Sequence, residues 1–280
     1  MPAPSTLTAA QLARLIGTHD APAIIDVRND AEHAADPLRV PGARRRDAAC
    51  VATWAAAFAG RAAVVVCADG ATSAGVAAWL RHEGVAAETL EGGMASWREA
   101  GAPMLNPAAV PPADALGRTL WVTRARPKVD RIACPWLIRR FVDPDAVFLF
   151  VAVTEVAATA ARFGATPFDI EAVFWSHRGE KCTFDVMVEE FGLGGVAGLA
   201  RLAVIVRGAD TARPELAPQC AGLLAASLGL SRMYRDDLAQ LQAGFSLYDA
   251  FWRWSRDAVS ETHDWPSPAR AGKAPAEQPA

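Results

Sequence analysis

The sequence predicts an α/β protein in two domains. In the first, strands alternate with helices; the second is a mostly helical α+β domain. One observation is that short apolar runs, such as residues 62–66, are each followed by a helical pattern. Another is that residues 105–117 are rich in Pro and Ala and lack periodicity, as in a semi-rigid spacer. A third is the length of 280 residues, which is enough for two hydrophobic cores.

These observations divide the chain into four parts. We predict a first domain over residues 1–104, a linker over 105–117, a second domain over 118–258 and a disordered tail over 259–280. The tail is rich in Pro and small polar residues, so it has little apolar surface to offset the entropy cost of ordering. The two halves share no internal repeat, which disfavours a tandem duplication.

Composition excludes several classes of protein. The chain is 52% hydrophobic and 21% charged, and its net charge of -3 gives no reason to expect nucleic-acid binding. No apolar run is long enough to cross a bilayer, and the N-terminus lacks the pattern of a signal peptide. The five cysteines contain no C-x-x-C pair, which argues against a zinc ribbon or a disulfide framework. We therefore expect a cytoplasmic protein that is not inserted in a membrane.

The elements of the first domain follow in a regular order. An amphipathic pattern predicts a helix over residues 7–16, and an apolar run predicts a buried strand over residues 23–28 that ends in a charged pair. A helical stretch with Glu32 and His33 follows, and then a buried strand over residues 62–66. The next helix is expected over residues 74–82, with Ser73 as its N-cap and Gly84 as its stop. The last segment runs from Leu90 to Trp97.

Cys67 stands between the predicted strand 62–66 and the helix that begins near residue 74. The intervening loop is small and turn-prone; its residues are Ala68, Asp69, Gly70, Ala71, Thr72 and Ser73. A thiol that faces a helix N-terminus lies among outward-pointing N–H groups, which favour the thiolate and can also hold an anion or a persulfide. The alternative is that Cys67 is a small buried hydrophobic residue, which is common for a lone cysteine.

Several motifs in the right order resemble the rhodanese family of sulfurtransferases over about residues 5–104. They are Asp26-Val27-Arg28, Val40-Pro41-Gly42-Ala43, the Cys67 loop, and Glu91-Gly92-Gly93-Met94 with Trp97. The resemblance implies a small doubly wound α/β domain and a persulfide on Cys67 as the catalytic residue. It also implies that loop residues 68–73 and Arg28 bind the substrate. The partners would be a small sulfur donor and a thiol or cyanide acceptor.

One position departs from the commonest pattern of that family. The family carries Arg five places after the cysteine, where this chain has Thr72. The loss of this charge should weaken the capture of a dianion such as thiosulfate, so backbone N–H groups would contribute more. The related cysteine phosphatases need Arg six places after the cysteine, where this chain has Ser73. Phosphatase activity is therefore disfavoured.

The second domain is predicted from a mixture of short strands and longer helices. Strands are expected over residues 118–124, 147–153 and 172–177. Helices are expected over residues 130–141, 154–163, 184–191 with Thr183 as cap, 199–206, 216–228 and 236–257. Pro135 is compatible with the helix 130–141 only in its first turn.

Charged residues cluster in this second domain and suggest two kinds of site. Four basic residues could hold a compact oxyanion through charge-assisted hydrogen bonds: Arg124, Lys128, Arg131 and Arg207. Three others could bind a divalent metal ion or act as an acid–base pair: His177, Asp185 and Asp210. The alternative is that these groups pair with one another, Arg207 with Asp210 and Arg131 with Asp130 or Asp185.

The same segments resemble the C-terminal domain of the bacterial chromate-resistance protein family. The matches include Trp121-Val122-Thr123-Arg124, the run from Pro127 to Phe141, Pro167-Phe168-Asp169, His177-Arg178-Gly179-Glu180, Cys182-Thr183-Phe184-Asp185 and Arg207-Gly208-Ala209-Asp210. The resemblance implies a role in chromate tolerance, as a sensor or helper beside an efflux protein. Regulatory members carry a DNA-binding domain where this chain has its first domain, which argues against transcriptional control.

Three functional hypotheses follow from the sequence. The first is a persulfide-forming sulfurtransferase fused to a domain that handles chromate or a metal ion. The second is a non-catalytic chromate-sensing or metal-sensing protein whose first domain is a degenerate scaffold. The third is a metal-dependent enzyme that uses His177, Asp185 and Asp210.

Overall fold

The computed structural model describes residues 5–262 and shows a parallel five-stranded sheet in the first domain. The strands lie in the order β1-β5-β4-β2-β3, and every pair of neighbours is parallel. The strands are β1 (Thr6–Leu7), β2 (Ala23–Asp26), β3 (Arg44–Arg45), β4 (Ala62–Val66) and β5 (Ala86–Leu90). The helices are α1 (Ala9–Leu15), α2 (Asp30–Ala35), α3 (Val51–Trp54), α4 (Ser73–His82) and α5 (Gly93–Glu99). The predicted α/β class of this domain is confirmed.

The central strands bury both faces of this sheet. In β4, Val64 and Val66 belong to one hydrophobic core, whereas Val65 belongs to a second core that also contains Cys67. Because successive side chains of a strand point to opposite faces, the continuous apolar run is the pattern of a strand covered on both sides. Helices α3 and α4 cover the face of Val65, and α1 and α5 cover the other.

The second domain has a small parallel sheet surrounded by helices, which confirms its predicted mostly helical character. The strands lie in the order β7-β6-β8. They are β6 (Leu120–Arg124), β7 (Val147–Val151) and β8 (Thr166–Pro167). The helices are α6 (Asp130–Leu137), α7 (Val156–Phe163), α8 (Thr183–Glu190), α9 (Ala197–Asp210), α10 (Cys220–Met233) and α11 (Asp237–Arg253). The core contains Trp136, whose ring lies 5.8–6.4 Å from the rings of four aromatic neighbours.

The predicted strand over residues 172–177 is wrong. This segment is a turn, in which Ala172 has a φ of 59° and Trp175 forms only an isolated bridge to Phe168. The apolar composition instead reflects the burial of one large side chain, since Trp175 stacks on Phe191 with ring centroids 4.9 Å apart. The third strand of the sheet is β8.

Three residues of the helices lie at positions other than those predicted. Pro135 is the sixth residue of α6, so the expectation of a first-turn proline is wrong. It is also buried. The α-helix ends at Leu137 and is followed by a wider π-helical turn over Ile138–Val142. Ser73 and Thr183 are the first residues of α4 and α8, and neither is the N-cap. Ser73 is buried, and its hydroxyl donates to the carbonyl of Gly70.

The two domains share a hydrophobic core. The cluster that contains Val64 and Val66 also contains Phe141 and Trp252 of the second domain. At the junction, the backbone N–H of Gly42 donates to the carbonyl of Phe141 at 2.6 Å. Arg44 of β3 forms ion pairs with Asp143 and Asp145. The domains are therefore packed directly against each other.

The segment predicted as a linker lies along this junction. Leu105 is buried and exchanges two backbone hydrogen bonds with Arg39, and the N–H of Asn106 donates to the carbonyl of Phe191. Most of the predicted tail, residues 263–280, lies outside the described residues. Among the helices of the described residues, none has the length and hydrophobicity that a membrane span requires.

Candidate functional site

Cys67 lies directly after β4, at the carboxyl end of the parallel sheet. Its side chain is buried, with 1% of the residue exposed. The Sγ atom accepts a hydrogen bond from the backbone N–H of Gly70 at 3.1 Å. The loop therefore curls around the sulfur before α4 begins at Ser73. This position, at the strand ends of an open parallel sheet, is where ligands bind in such folds.

A second turn supports the backbone of the Cys67 loop. The carbonyls of Cys67 and Ala68 accept hydrogen bonds from the N–H groups of Met94 and Ala95, at 2.9 and 3.1 Å. Gly93 fits here because a Cβ atom built on it would lie 2.4 Å from the carbonyl oxygen of Cys67. The start of α5 thus fixes the backbone on which the sulfur is carried. This turn contains the Glu91-Gly92-Gly93-Met94 motif, which is one of those that carry the rhodanese resemblance.

The remaining loop residues stabilise the turn or face solvent. The Asp69 carboxylate accepts from the N–H of Ala71 at 3.0 Å. Thr72 is exposed and borders a cavity of about 540 Å³ that Arg45 and Arg46 also line. This cavity carries acidic groups as well, since Asp30 lies in its wall and is paired with Arg45 at 2.7 Å. Arg28, Arg45 and Arg46 thus supply the positive charges that line this cavity together with Thr72.

Arg28, which the rhodanese resemblance gives as a substrate-binding residue, is buried and engaged within the domain. It is 2% exposed, and its guanidinium contacts the Asp26 carboxylate through Nε at 3.0 Å and a terminal nitrogen at 2.6 Å. It also donates to the carbonyls of Asp36 and Leu38. Because these hydrogen bonds occupy most of the N–H donors of the guanidinium, few are left to bind a substrate. The bonds stabilise the conformation of the chain after β2.

In the second domain, three carboxylates surround His177. The Nε2 atom of His177 lies 3.2 Å from Asp210, 3.5 Å from Asp169 and 3.7 Å from Asp130. Asp130 opens α6, Asp210 closes α9, Asp169 follows β8, and His177 lies in the turn before α8. Segments far apart in the sequence thus meet at one point. We call these four residues the Asp–His cluster.

Hydrogen bonds fix the buried side of the Asp–His cluster. Asp130 is completely buried, and its Oδ2 atom accepts from the N–H groups of Thr183 and Phe184 at 2.6 and 3.3 Å. These N–H groups begin α8, where the helix dipole favours a carboxylate. The Thr183 hydroxyl donates to Asp169 at 2.8 Å. The Oδ1 atom of Asp130 has no hydrogen-bond partner among the described residues.

The charges of this cluster shift one another's titration. Burial, followed by the charges of Asp210 and Asp169, raises the pKa of Asp130 well above its ordinary value. Hydrogen bonds to Asp169 and Asp210 raise the pKa of His177 to about 10. Burial is the larger cause of the shift at Asp130, and the neighbouring carboxylates contribute to both shifts. A partly buried space with several carboxylates favours a proton or a cation.

The structure groups the predicted polar residues of the second domain differently from the sequence. His177 and Asp210 lie together, but Asp185 instead accepts from the N–H of Cys182 at 3.0 Å and lies 3.5 Å from Arg207. The sequence reasoning did not include Asp130 and Asp169 as candidate ligands. Both lie in motifs that carry the chromate-resistance resemblance, but only the fold shows that they face His177.

The four basic residues predicted to bind an oxyanion differ in their surroundings. Arg131 lies 3.5 Å from Asp169, and Arg207 is paired with Asp185. Burial is the largest cause that lowers the pKa of Arg131, and the charge of Arg124 lowers it further. Arg124 and Lys128 are exposed. Arg131 and Arg207 each lie near an aspartate, as the sequence-based alternative allows, but their partners differ from the predicted ones. Asp169 takes the place of Asp130 or Asp185 beside Arg131, and Asp185 takes the place of Asp210 beside Arg207.

Comparison with known proteins gives a family match for each domain. Residues 8–100 match the family model described as a rhodanese-like domain, and residues 121–255 match the model described as "ChrB, C-terminal domain". Protein ChrB of Cupriavidus metallidurans is 35% identical over 135 residues, which are 47% of this chain and 40% of that protein. The chain thus matches less than half the length of this curated relative.

Solved structures match the first domain. A rhodanese-like domain protein from Staphylococcus aureus is 29% identical, and the match covers 33% of this chain and 89% of that one with a TM-score of 0.30. A rhodanese-related protein from Thermoplasma volcanium is 25% identical, and the match covers 36% of this chain and 96% of that one with a TM-score of 0.32.

Proposed function

We propose that this chain is a sulfurtransferase, because residues 8–100 match a rhodanese-like domain. Residues 121–255 match the ChrB C-terminal domain. Cys67 would carry the transferred sulfur as a persulfide. The observation that supports this most directly is the N–H of Gly70, which donates to the Cys67 sulfur at 3.1 Å. An N–H donor at this place stabilises negative charge on sulfur.

The proposed reaction has two steps on the same sulfur atom. The Cys67 thiolate attacks the outer sulfur of thiosulfate; the S–S bond of the donor breaks, and sulfite leaves with the electron pair. The enzyme then carries a persulfide anion. Cyanide or a thiolate attacks its terminal sulfur, forms thiocyanate or a new persulfide, and restores the Cys67 thiolate. Loop residues 68–73 would bind the donor and hold the anionic sulfur at the start of α4.

The test is to locate the persulfide on the full chain. Protein treated with thiosulfate is expected to gain the mass of one sulfur atom, which peptide mass spectrometry should place on Cys67. Cys50 is the internal control, because it is the exposed cysteine of the five and the Asp47 carboxylate raises its pKa. A thiol held in its protonated form by a neighbouring carboxylate is a poor nucleophile. Sulfur found equally on Cys50 and Cys67, or on neither, would contradict the proposal.

A second prediction concerns the missing loop arginine. We expect Thr72→Arg to lower the KM for thiosulfate by about tenfold, because one charge-assisted contact to a dianion contributes about 1.4 kcal/mol or more. Thr72 is exposed, so the new side chain has room. The measurement is the KM for thiosulfate in the cyanide assay. Thr72→Gln is the control, since it adds length without charge and should behave as wild type; an arginine variant no better than glutamine would show that this position does not face the donor.

The match to the ChrB C-terminal domain relates the chain to chromate resistance. We propose that sulfur transfer contributes to that resistance, with chromate as a ligand or target.

A specific observation favours an alternative function. Thr72 replaces the arginine that a rhodanese loop commonly carries, as expected of a degenerate scaffold. The alternative is a non-catalytic protein that binds chromate or a metal ion. Chromate titrated into the full chain separates the two. Tight binding with no persulfide on Cys67 would support the binding protein.

A further inference from the structure

We propose that Asp130, His177 and Asp210 form a binding site for a divalent transition-metal ion, with Asp169 at its edge. The inference does not depend on the chemistry of Cys67, which belongs to the other domain. It rests on the spacing of the ligand atoms, on an unpartnered buried oxygen and on the balance of charge.

The spacing suits a shared ion. One ligand atom from each of the three residues can be chosen so that all lie within 4.8 Å of one another. His177 Nε2 is 3.2 Å from Asp210 Oδ2 and 3.7 Å from Asp130 Oδ2. Two atoms bound to one ion at about 2.1 Å can be at most about 4.2 Å apart. Both of these measured distances fall within that limit.

A second, independent observation concerns one carboxylate oxygen of Asp130. Its side chain is completely buried, yet Oδ1 has no hydrogen-bond partner among residues 5–262. A buried carboxylate oxygen without a donor is destabilising, whereas a hydrogen-bonded one is close to neutral or favourable. Oδ1 would gain a partner if the ion bound this carboxylate through both of its oxygens.

The charge of the Asp–His cluster points the same way. Three carboxylates, from Asp130, Asp169 and Asp210, converge on a single imidazole. Arg131 adds one positive charge, but its Nε atom stands 3.5 Å from Asp169 and forms no hydrogen bond within the described residues. A purely structural ion-pair network would match its charges and hydrogen bonds more closely.

The donor set selects the kind of metal. One imidazole nitrogen with carboxylate oxygens suits Mn²⁺, Fe²⁺ or Zn²⁺, whereas Mg²⁺ and Ca²⁺ prefer oxygen alone. The His177 side chain is 42% exposed, so the ion would be reached from solvent on that side. Water or a small anion would complete its coordination there.

The experiment titrates MnCl₂ and ZnCl₂ into the full chain after chelator treatment. Calorimetry is expected to show one equivalent bound, and saturating metal should raise the melting temperature. His177→Gln and Asp210→Asn should each weaken binding by at least about tenfold. In the electron paramagnetic resonance spectrum, bound Mn²⁺ should show nitrogen hyperfine coupling that His177→Gln removes.

A matched pair of variants is the control. His19 and Asp20 form an exposed ion pair of the same residue types, with 3.1 Å between Nε2 and Oδ2. His19→Gln and Asp20→Asn should bind both metals as wild type does. Because His177 is partly exposed, His177→Gln is expected to fold even if Asp210→Asn does not, which circular dichroism will show. The proposal is overturned if wild type binds neither metal, or if His177→Gln binds them as tightly as wild type.

Discussion

Replacing Cys67 by serine is expected to abolish thiocyanate formation completely. A serine hydroxyl cannot form a persulfide, and at neutral pH it is not ionised, so neither step of the proposed reaction remains. Serine can still accept the hydrogen bond from the N–H of Gly70, so the fold should be preserved. The free energy of unfolding should change by only about 1 kcal/mol. The rate is measured by the cyanide assay, and the stability by urea denaturation.

Cys50→Ser is the matched substitution for this experiment. It removes the exposed thiol of the same domain and is expected to leave the rate unchanged. If Cys67→Ser retains the wild-type rate, Cys67 has no part in sulfur transfer. The first domain would then have to be regarded as a scaffold.

Replacing Gly93 by alanine is expected to lower the rate of sulfur transfer by about 100-fold although Gly93 is not a catalytic residue. The added Cβ would lie 2.4 Å from the Cys67 carbonyl oxygen and 2.9 Å from the Ala68 carbonyl, so the loop must move. A displacement of about 1 Å in a reacting group costs about that factor in rate. The clash and the φ of 59° together should also destabilise the fold by about 1–3 kcal/mol.

Gly101→Ala separates the clash from the backbone strain. Gly101 has a φ of 62°, and a Cβ atom added there would meet no described atom within 4 Å. This variant should lose only the stability that strain accounts for, about 1 kcal/mol, and should keep its rate in the cyanide assay. An equal loss of rate in both variants would mean that the clash at Gly93 does not control the Cys67 loop, and that the start of α5 does not position the sulfur.

The fold of the first domain was predictable because its signals are local. The run over β4 is fully apolar because the strand is covered on both faces, and the glycines after β5 lie where only a small residue fits. The same reasoning failed at residues 172–177, where the apolar side chain of Trp175 is buried from a turn. Hydrophobicity reports burial, and it does not by itself report hydrogen-bonded strands.

The Asp–His cluster was only partly predictable for a different reason. Asp130 and Asp210 are both helix-terminal residues, and their meeting depends on how α6 packs against α9. Asp185 has the right chemistry and lies near His177 in the sequence, but its carboxylate is used within its own helix, at the N–H of Cys182. Sequence identifies which residues could bind a metal ion; the tertiary packing decides which of them face one another.

The hydrophobic core shared by both domains has a consequence for the integrity of the chain. A ring carbon of Phe141, in the second domain, would lie 2.2 Å from a Cβ atom added at Gly17 in the first. Val64 of the first domain and Trp252 of the second belong to one apolar cluster. A chain cut between the two family matches would leave this apolar surface in water on both fragments. Heat or urea should therefore melt the two regions together, in a single cooperative transition, even though they match two different family models.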